Sequence, residues 1–189
     1  MATLINADTS DGLKLTSDTS GEIKLQSAGT DVATVSSTGI TMASGKGLVA
    51  TGHVLQVVQG LHTTQFTTTS GTYVDVTGFN ATITPTSASS KILVMVTALS
   101  GHNAAAQAVG IRLLRDSTEI TLLASSGGYL AGATFLNEIG FGTNYLDSPA
   151  TTSAVTYKIQ MLSSVAGNTV YMSSGSTTQS TITLMEIAG

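Results

Sequence analysis

The sequence predicts an all-β protein in two parts, an N-terminal shaft of short strands over 1–52 and an antiparallel jelly-roll β-sandwich over 53–189. Three observations lead there. Short apolar pulses begin at Leu13, Ile23, Val32, Ile40 and Leu48, and each alternates apolar with polar residues, as in Leu13-Lys14-Leu15 and Ile23-Lys24-Leu25. That alternation is the side-chain period of a strand. The composition is rich in Ser, Thr, Val and Ile and is punctuated by 20 Gly with only 2 Pro, which suits β-structure with many short turns. Beyond residue 53 the apolar runs lengthen and are separated by turn residues without any βαβ alternation, the pattern of an antiparallel sandwich.

Taken in order, residues 1–11 form a leader whose apolar content is Leu4 and Ile5, followed by Asn6, Asp8, Thr9, Ser10 and Asp11. A docking peptide and a frayed end are equally good readings of it. Residues 12–51 are the pulsed shaft. One such pulse buries too little to offset the ordering of its own backbone, so pulses of this kind stabilise one another by stacking, within the chain or between copies. In the second part, strands are expected at 53–59, 66–69, 73–76, 79–84, 91–99, 108–115, 119–124, 134–141, 155–162, 169–173 and 181–187. The 79–84 strand stops at Pro85, which has no N–H to continue a ladder. The run Lys91 to Leu99 (KILVMVTAL) is the most apolar in the chain and reads as a central strand covered on both faces.

Composition limits the function classes. Only 10% of the 189 residues are charged, against roughly 25% in typical soluble proteins. Few charges leave sheet edges poorly defended, so closed or assembled edges are expected. The net charge is −4 and the pI about 5.1, with seven scattered cationic residues, which argues against nucleic acid as a partner. Arg112 and Arg115 are a polar pair near a strand end more readily than a phosphate clamp. With no cysteine, neither disulfides nor thiolate metal sites are available, and oligomerisation is the remaining route to robustness. The opening MATLINADTS lacks an export signal pattern, and no apolar run approaches the roughly 18 residues needed to span a bilayer, so a soluble chain made in the cytoplasm is expected.

Catalytic constellations are not found. Ser and Thr are abundant but no G-x-S-x-G elbow occurs, and Gly140-Phe141-Gly142-Thr143-Asn144-Tyr145 starts like a dinucleotide loop but has Tyr at the third glycine position. Glu119, Glu138 and Glu186 are separated singles, unlike the carboxylate pair of a glycosidase. Asp8 to Gly12 lacks the full ligand run of a Ca²⁺ loop. His53, His62 and His102 have no i, i+4 spacing for a metal. No catalytic residue, metal or cofactor is therefore expected. For recognition, the aromatic and amide residues expected in loops are Asn103, Tyr129, Asn144 and Tyr145.

The shaft wording DGLKLTSDTSGEIKLQSAGTDVATVSSTGITMASGKGL resembles N-terminal segments of structural proteins from tailed bacteriophages, particularly marine and cyanobacterial ones. HVLQVVQGLHTTQF, TYVDVTGFNATITPTSASSKILVMV, YLDSPATTSAVTYKIQM and STITLMEIAG are similar to C-terminal heads of such fibres, which look like C1q/TNF-type jelly rolls. The resemblance covers nearly the whole chain and lies in texture, without a catalytic motif. It implies a homotrimer in the virion, a short fibre or spike with an outward head in host adhesion. The alternative it leaves is a head decoration protein stabilising the shell, and a polysaccharide hydrolase is remote. Implied partners are other virion proteins of the tail, baseplate or capsid and a host surface glycan or protein, without membrane insertion. Attachment then falls to Leu4, Ile5, Leu13 and Leu15, and the trimer core to Phe135, Phe141, Tyr157, Tyr171 and Met185. A three-fold axis would also let a single histidine supply three metal ligands, although a surface role is the default for each.

Overall fold

The computed structural model describes residues 21–44, 46–47, 50–132, 137–173 and 179–189, and divides the chain into two compact units, Met1–Val49 and Ala50–Gly189. Thirteen strands and no helix occur among the described residues.

The first unit contains β1 (Ile23–Ser27), β2 (Thr30–Ser36) and β3 (Gly39–Met42), an antiparallel meander in the order β1-β2-β3. Two-residue loops join the strands. Ala28 and Gly29 both adopt left-handed backbone (φ 49° and 75°), the geometry of the tight hairpin turn that matches strand twist. The predicted pulses at Ile23, Val32 and Ile40 each fall within one of these strands, whereas Leu13 and Leu48 lie outside the described residues.

The second unit holds β4 (Val54–His62), β5 (Phe66–Thr68), β6 (Val74–Ile83), β7 (Lys91–His102), β8 (Gln107–Arg115), β9 (Thr118–Leu130), β10 (Asn137–Asp147), β11 (Val155–Ser163), β12 (Val170–Met172) and β13 (Ser180–Ile187). They make two antiparallel sheets. In sheet I, β10 runs along one edge of β7, and β13 and then β12 follow each other along the opposite edge. β4 and β5 pair in turn with β13 and β12. Sheet II has the order β6-β11-β8-β9. Counting β4/β5 and β12/β13 as single lanes gives eight lanes in chain order, reading 1-8-3-6 in sheet I and 2-7-4-5 in sheet II. This is a jelly-roll-like order.

Alternation along the strands builds the core between the sheets. Ile92, Val94, Val96 and Ala98 of β7 face Val109, Ile111 and Leu113 of β8 and Tyr157, Ile159 and Met161 of β11, all of them buried. β6 joins two segments that the sequence suggested were separate strands. Its register against β11 shifts between Asn80 and Asp75, and the bulge, with Gly78 at φ 80°, keeps Val76 and Phe79 both in the core. Phe79 stacks on His62 with ring centroids 5.3 Å apart.

Polar groups tie the layers at two places. The Asp147 carboxylate accepts from Arg115 Nη1 (2.6 Å) and from the Tyr157 hydroxyl (2.7 Å), joining β10 of sheet I to β8 and β11 of sheet II. Where the β12/β13 lane breaks, the Ser173 and Ser180 hydroxyls lie 2.9 Å apart, the Ser173 N–H donates to Leu99 O (2.8 Å), and the Leu99 N–H reaches Ser180 Oγ (3.4 Å).

Close approach constrains one corner. A Cβ at Gly60 would collide with the backbone carbonyl of Asn80, where β4 passes β6, whereas one at Gly140 meets nothing within 4 Å. Gly60→Ala is therefore expected to lower stability by about 1–3 kcal/mol through backbone displacement. Gly140→Ala should be neutral or add up to about 1 kcal/mol by stiffening the unfolded chain. Urea midpoints of the two variants check this.

Candidate functional site

The outer faces of the two sheets differ in chemistry. On sheet II a polar network crosses all four lanes. Glu119 of β9 accepts from Arg112 of β8 (2.6 Å), Arg112 Nε donates to Gln160 of β11 (2.8 Å), and Gln160 donates to Asp75 of β6 (2.6 Å). Lys158 donates to the other Asp75 oxygen (2.8 Å), and the Arg112 guanidinium lies 4.2 Å from the Tyr73 ring centre. Hydrogen bonds from Lys158 and Gln160 hold the Asp75 carboxyl below its ordinary range. Arg112 and Arg115 serve separate carboxylates, Glu119 and Asp147, and so form no joint phosphate clamp.

Sheet I is different. Its ladders align Leu146, Leu93, Met185 and Val57 in one row across all four lanes, and Lys91, Ile187 and Val54 in the next. Two uncharged rows follow, Asn144-Met95-Thr183-Gln59 and Gly142-Thr97-Thr181-Leu61. These side chains alternate with the buried ones, so they point away from the core. Leu93, Met95, Leu99, Met185 and Ile187 are half-buried, while Val57 (55%), Val54 (52%) and Leu146 (52%) are well exposed. Among the described residues, charge appears only at the ends of the face, at Lys91 and at Glu138 opposite Gly101. Four lanes at about 4.8 Å and eight residues of about 3.4 Å make a face on the order of 500 Å². Its apolar part, centred on Leu146, Leu93, Met185, Val57, Ile187 and Val54, is a fraction of that area, and patches of a few hundred Å² are often functional.

This corrects the reading of 91–99 as covered on both sides. The inward residues are buried, but no layer among the described residues covers Leu93, Met95 and Leu99. The apolar alternation on both faces was the sequence signal for this surface, and Val57, Leu61, Leu93 and Leu146 were not recognised as part of it.

The other expected site residues are dispersed. Met185 and Tyr171 lie on the outward side of sheet I, Tyr171 opposite Gly101. The Tyr171 hydroxyl is buried, and burial together with the nearby Glu138 charge pushes it up to about 12. Phe141 and Tyr157 point between the sheets, where Tyr157 is fully buried and Phe141 packs partly buried against the core. Leu4, Ile5, Leu13, Leu15 and Phe135 lie outside the described residues. Asn103 is in an exposed turn as expected, but Tyr129, Asn144 and Tyr145 are in strands, because β9 continues through Gly127 and Gly128 and β10 pairs with β7 without interruption. Tyr145 turns inward onto the core while Asn144 faces out. His102 joins two candidates at one end of the sandwich, with Nδ1 3.1 Å from Ala104 O beside Asn103 and Nε2 2.7 Å from Gly128 O beside exposed Tyr129.

Titratable groups in the interior hold structure. No group of three His, Cys, Asp or Glu residues among the described ones could hold a metal, and no helix there is long and apolar enough to cross a membrane. Burial lowers the pKa of His62, which is packed on Phe79. Glu186 has no exposure. Its Oε1 accepts from the Thr86 N–H and hydroxyl (both 2.7 Å), and its Oε2 accepts from Gln56 (2.6 Å), fastening the loop after β6 to β13 and β4.

No known protein family matches the sequence, and no curated protein matches it. Among solved structures the chain is similar to the VP2 subviral particle of infectious bursal disease virus, with 14% identity and a TM-score of 0.45 over 83% of this chain and 42% of that one. The Gx strain structure of that virus gives 15%, 0.47, 83% and 42%, and the Gt strain structure 15%, 0.48, 83% and 41%. The chain thus spans less than half the length of these neighbours. The fold rests on the strand ladders themselves.

Burial raises the Glu186 pKa, but the hydrogen bonds from Gln56 and Thr86 outweigh it and leave the folded value below the ordinary one. The stabilisation is therefore complete above the unfolded-state pKa and is lost as pH falls through the folded value. Unfolding midpoints from pH 7 to pH 3 should fall in the wild type, and Glu186→Gln should flatten that slope while lowering the midpoint at pH 7.

Proposed function

We propose that this chain is a non-enzymatic virion structural protein: a short homotrimeric phage fibre or spike, attached to the particle through its N-terminal part, with a C1q/TNF-like head projecting outward in host adhesion. One observation carries the assembly part of this reading. Sheet I is apolar toward its core and carries a mixed apolar and uncharged polar surface outward, with charge only at its ends, and among the described residues only the first of these faces is covered. A copy of the same sandwich is a suitable cover, because a neutral face lets a chain of net charge −4 approach its own kind without like-charge repulsion. Obligate interfaces of this kind resemble a domain core cut in half.

The sheet II network gives that face an independent reason to stay in water, so assembly is assigned to sheet I alone. The phage, fibre and adhesion parts of the proposal rest on the resemblance in the shaft and strand wording. The 103–106 turn with Tyr129, joined through His102, is the proposed contact with a host glycan or protein. Other virion proteins are the proposed partners of Leu4, Ile5, Leu13 and Leu15.

Native mass spectrometry of the full chain is expected to show three copies, and a stable folded monomer at micromolar concentration overturns the reading. Val57→Glu with Leu146→Glu should dissociate the assembly. Burying unpaired carboxylates costs about 3–5 kcal/mol, roughly a 100-fold or greater loss of affinity. Leu122→Glu, on the outer side of sheet II, should leave it intact.

A further inference from the structure

We infer that the end of the sandwich built around His102 and Gln107 binds an uncharged glycan. The inference rests on the adhesive reading above and names the ligand class for its contact. Strand direction defines this end. β7 and β9 finish there, β8 and β10 start there, and β11 finishes beside the start of β6. The second unit is entered at the opposite end, where the Gly52 N–H donates to Ala188 O and the Ala188 N–H to His53 O (both 2.8 Å). Between the two ends run the 12 residues of β7, roughly 40 Å at about 3.4 Å each. The His102 end is thus the one remote from the chain's entry.

Two buried polar side chains, one on each side of the 103–106 turn, fix the segments at this end. The His102 ring has no exposure, and its nitrogens lie 3.1 Å from Ala104 O and 2.7 Å from Gly128 O, which holds the turn against β9. Gln107 has no exposure either. Its Nε2 donates to Ser163 Oγ (2.7 Å) and its Oε1 accepts from Asn168 Nδ2 (3.4 Å). The Ser163 hydroxyl in turn lies 2.6 Å from Val165 O and 2.8 Å from Asn168 O. The 103–106 and 164–168 segments are therefore set before a ligand arrives, which removes an ordering cost from binding.

Chemistry selects the ligand. The connections 69–73, 103–106 and 164–169 read TSGTY, NAAA and SVAGNT and contain no charged residue, and residues 131–136 (AGATFL) add none. Among the described residues the charges that come nearest along the strands are Glu138, opposite Gly101 on the outer face of sheet I, and Asp75, paired with Lys158 and Gln160 on sheet II. Exposed at this end are Asn103, Tyr129 and Val165. A sugar ring offers hydroxyls to amide and carbonyl groups and an apolar C–H face to an aromatic side chain. An anionic sugar finds no cation here, so desolvating its charge is uncompensated. Protein interfaces draw on several Trp, Tyr or Arg anchors, and this end exposes one Tyr among the described residues.

The test passes the full-length protein over immobilised dextran, mannan and galactan, with dextran sulfate alongside, at about 0.1 M and about 1 M NaCl. At least one neutral polysaccharide should retain it at both salt concentrations, and dextran sulfate should retain it no better than dextran. Tyr129→Ala should weaken retention about 10-fold, and Asn103→Ala should weaken it in the same direction. Thr152→Ala, at the opposite end, should change nothing, and native mass spectrometry of each variant reports that it remains assembled. Retention that neither Tyr129→Ala nor Asn103→Ala weakens overturns the inference. Refusal of every neutral polysaccharide, or a preference for dextran sulfate, also overturns it. If the protein then still binds host-cell envelopes through Tyr129, the adhesive reading stands without it; if it does not, that reading falls as well.

Discussion

The need to cover both faces of an apolar sheet governs this molecule. β7 carries Ile92, Val94, Val96 and Ala98 on one side and Leu93, Met95 and Leu99 on the other. The chain supplies one opposing layer, sheet II, and closes a core with it. Full burial of such a side chain is worth roughly 1.5–3 kcal/mol, of which the half-buried Leu93, Met95 and Leu99 realise only part. With so few charges in the sequence there is little to oppose burial of the rest.

Sheet II shows what the same backbone looks like when a face is built for water. Its salt bridges are exposed or half-buried and each adds at most about 1 kcal/mol. Their larger effect is to set a boundary, since desolvating Arg112, Glu119, Asp75 and Lys158 together would cost several kcal/mol per ion. The sandwich is thus polarised, and its two outer surfaces are not interchangeable. The meander repeats that division on a smaller scale, with six apolar residues on one side and Lys24 and threonines on the other.

Most of the strand content was legible in the sequence because alternation and turn residues are local signals. Pro85 ends β6 where a lost N–H requires it, and the pulses at Ile23, Val32 and Ile40 all fall in strands. The failures share a cause. Whether Gly78 makes a turn or a bulge depends on β11 lying alongside β6, and Asn144-Tyr145 looks like a loop until β7 pairs with it throughout. Facing is also non-local: Tyr157 and Met185 are both alternating strand residues, yet register turns the first into the sandwich and the second away from it. The outer face of sheet I was half-visible, since β7 read as apolar on both sides. Its extension through Val57 and Leu146 required the order of the lanes.

The break between β12 and β13 has a consequence for how this chain can vary. Ser173 and Ser180 are clasped to each other and to Leu99, so the facing ends of β12 and β13 are held on one stretch of β7. Ladder pairing on β7 runs from Val170–Met172 on one side of the break to Thr181–Ile187 on the other. The two strands thus share one register on β7, and a change at either serine is felt by both.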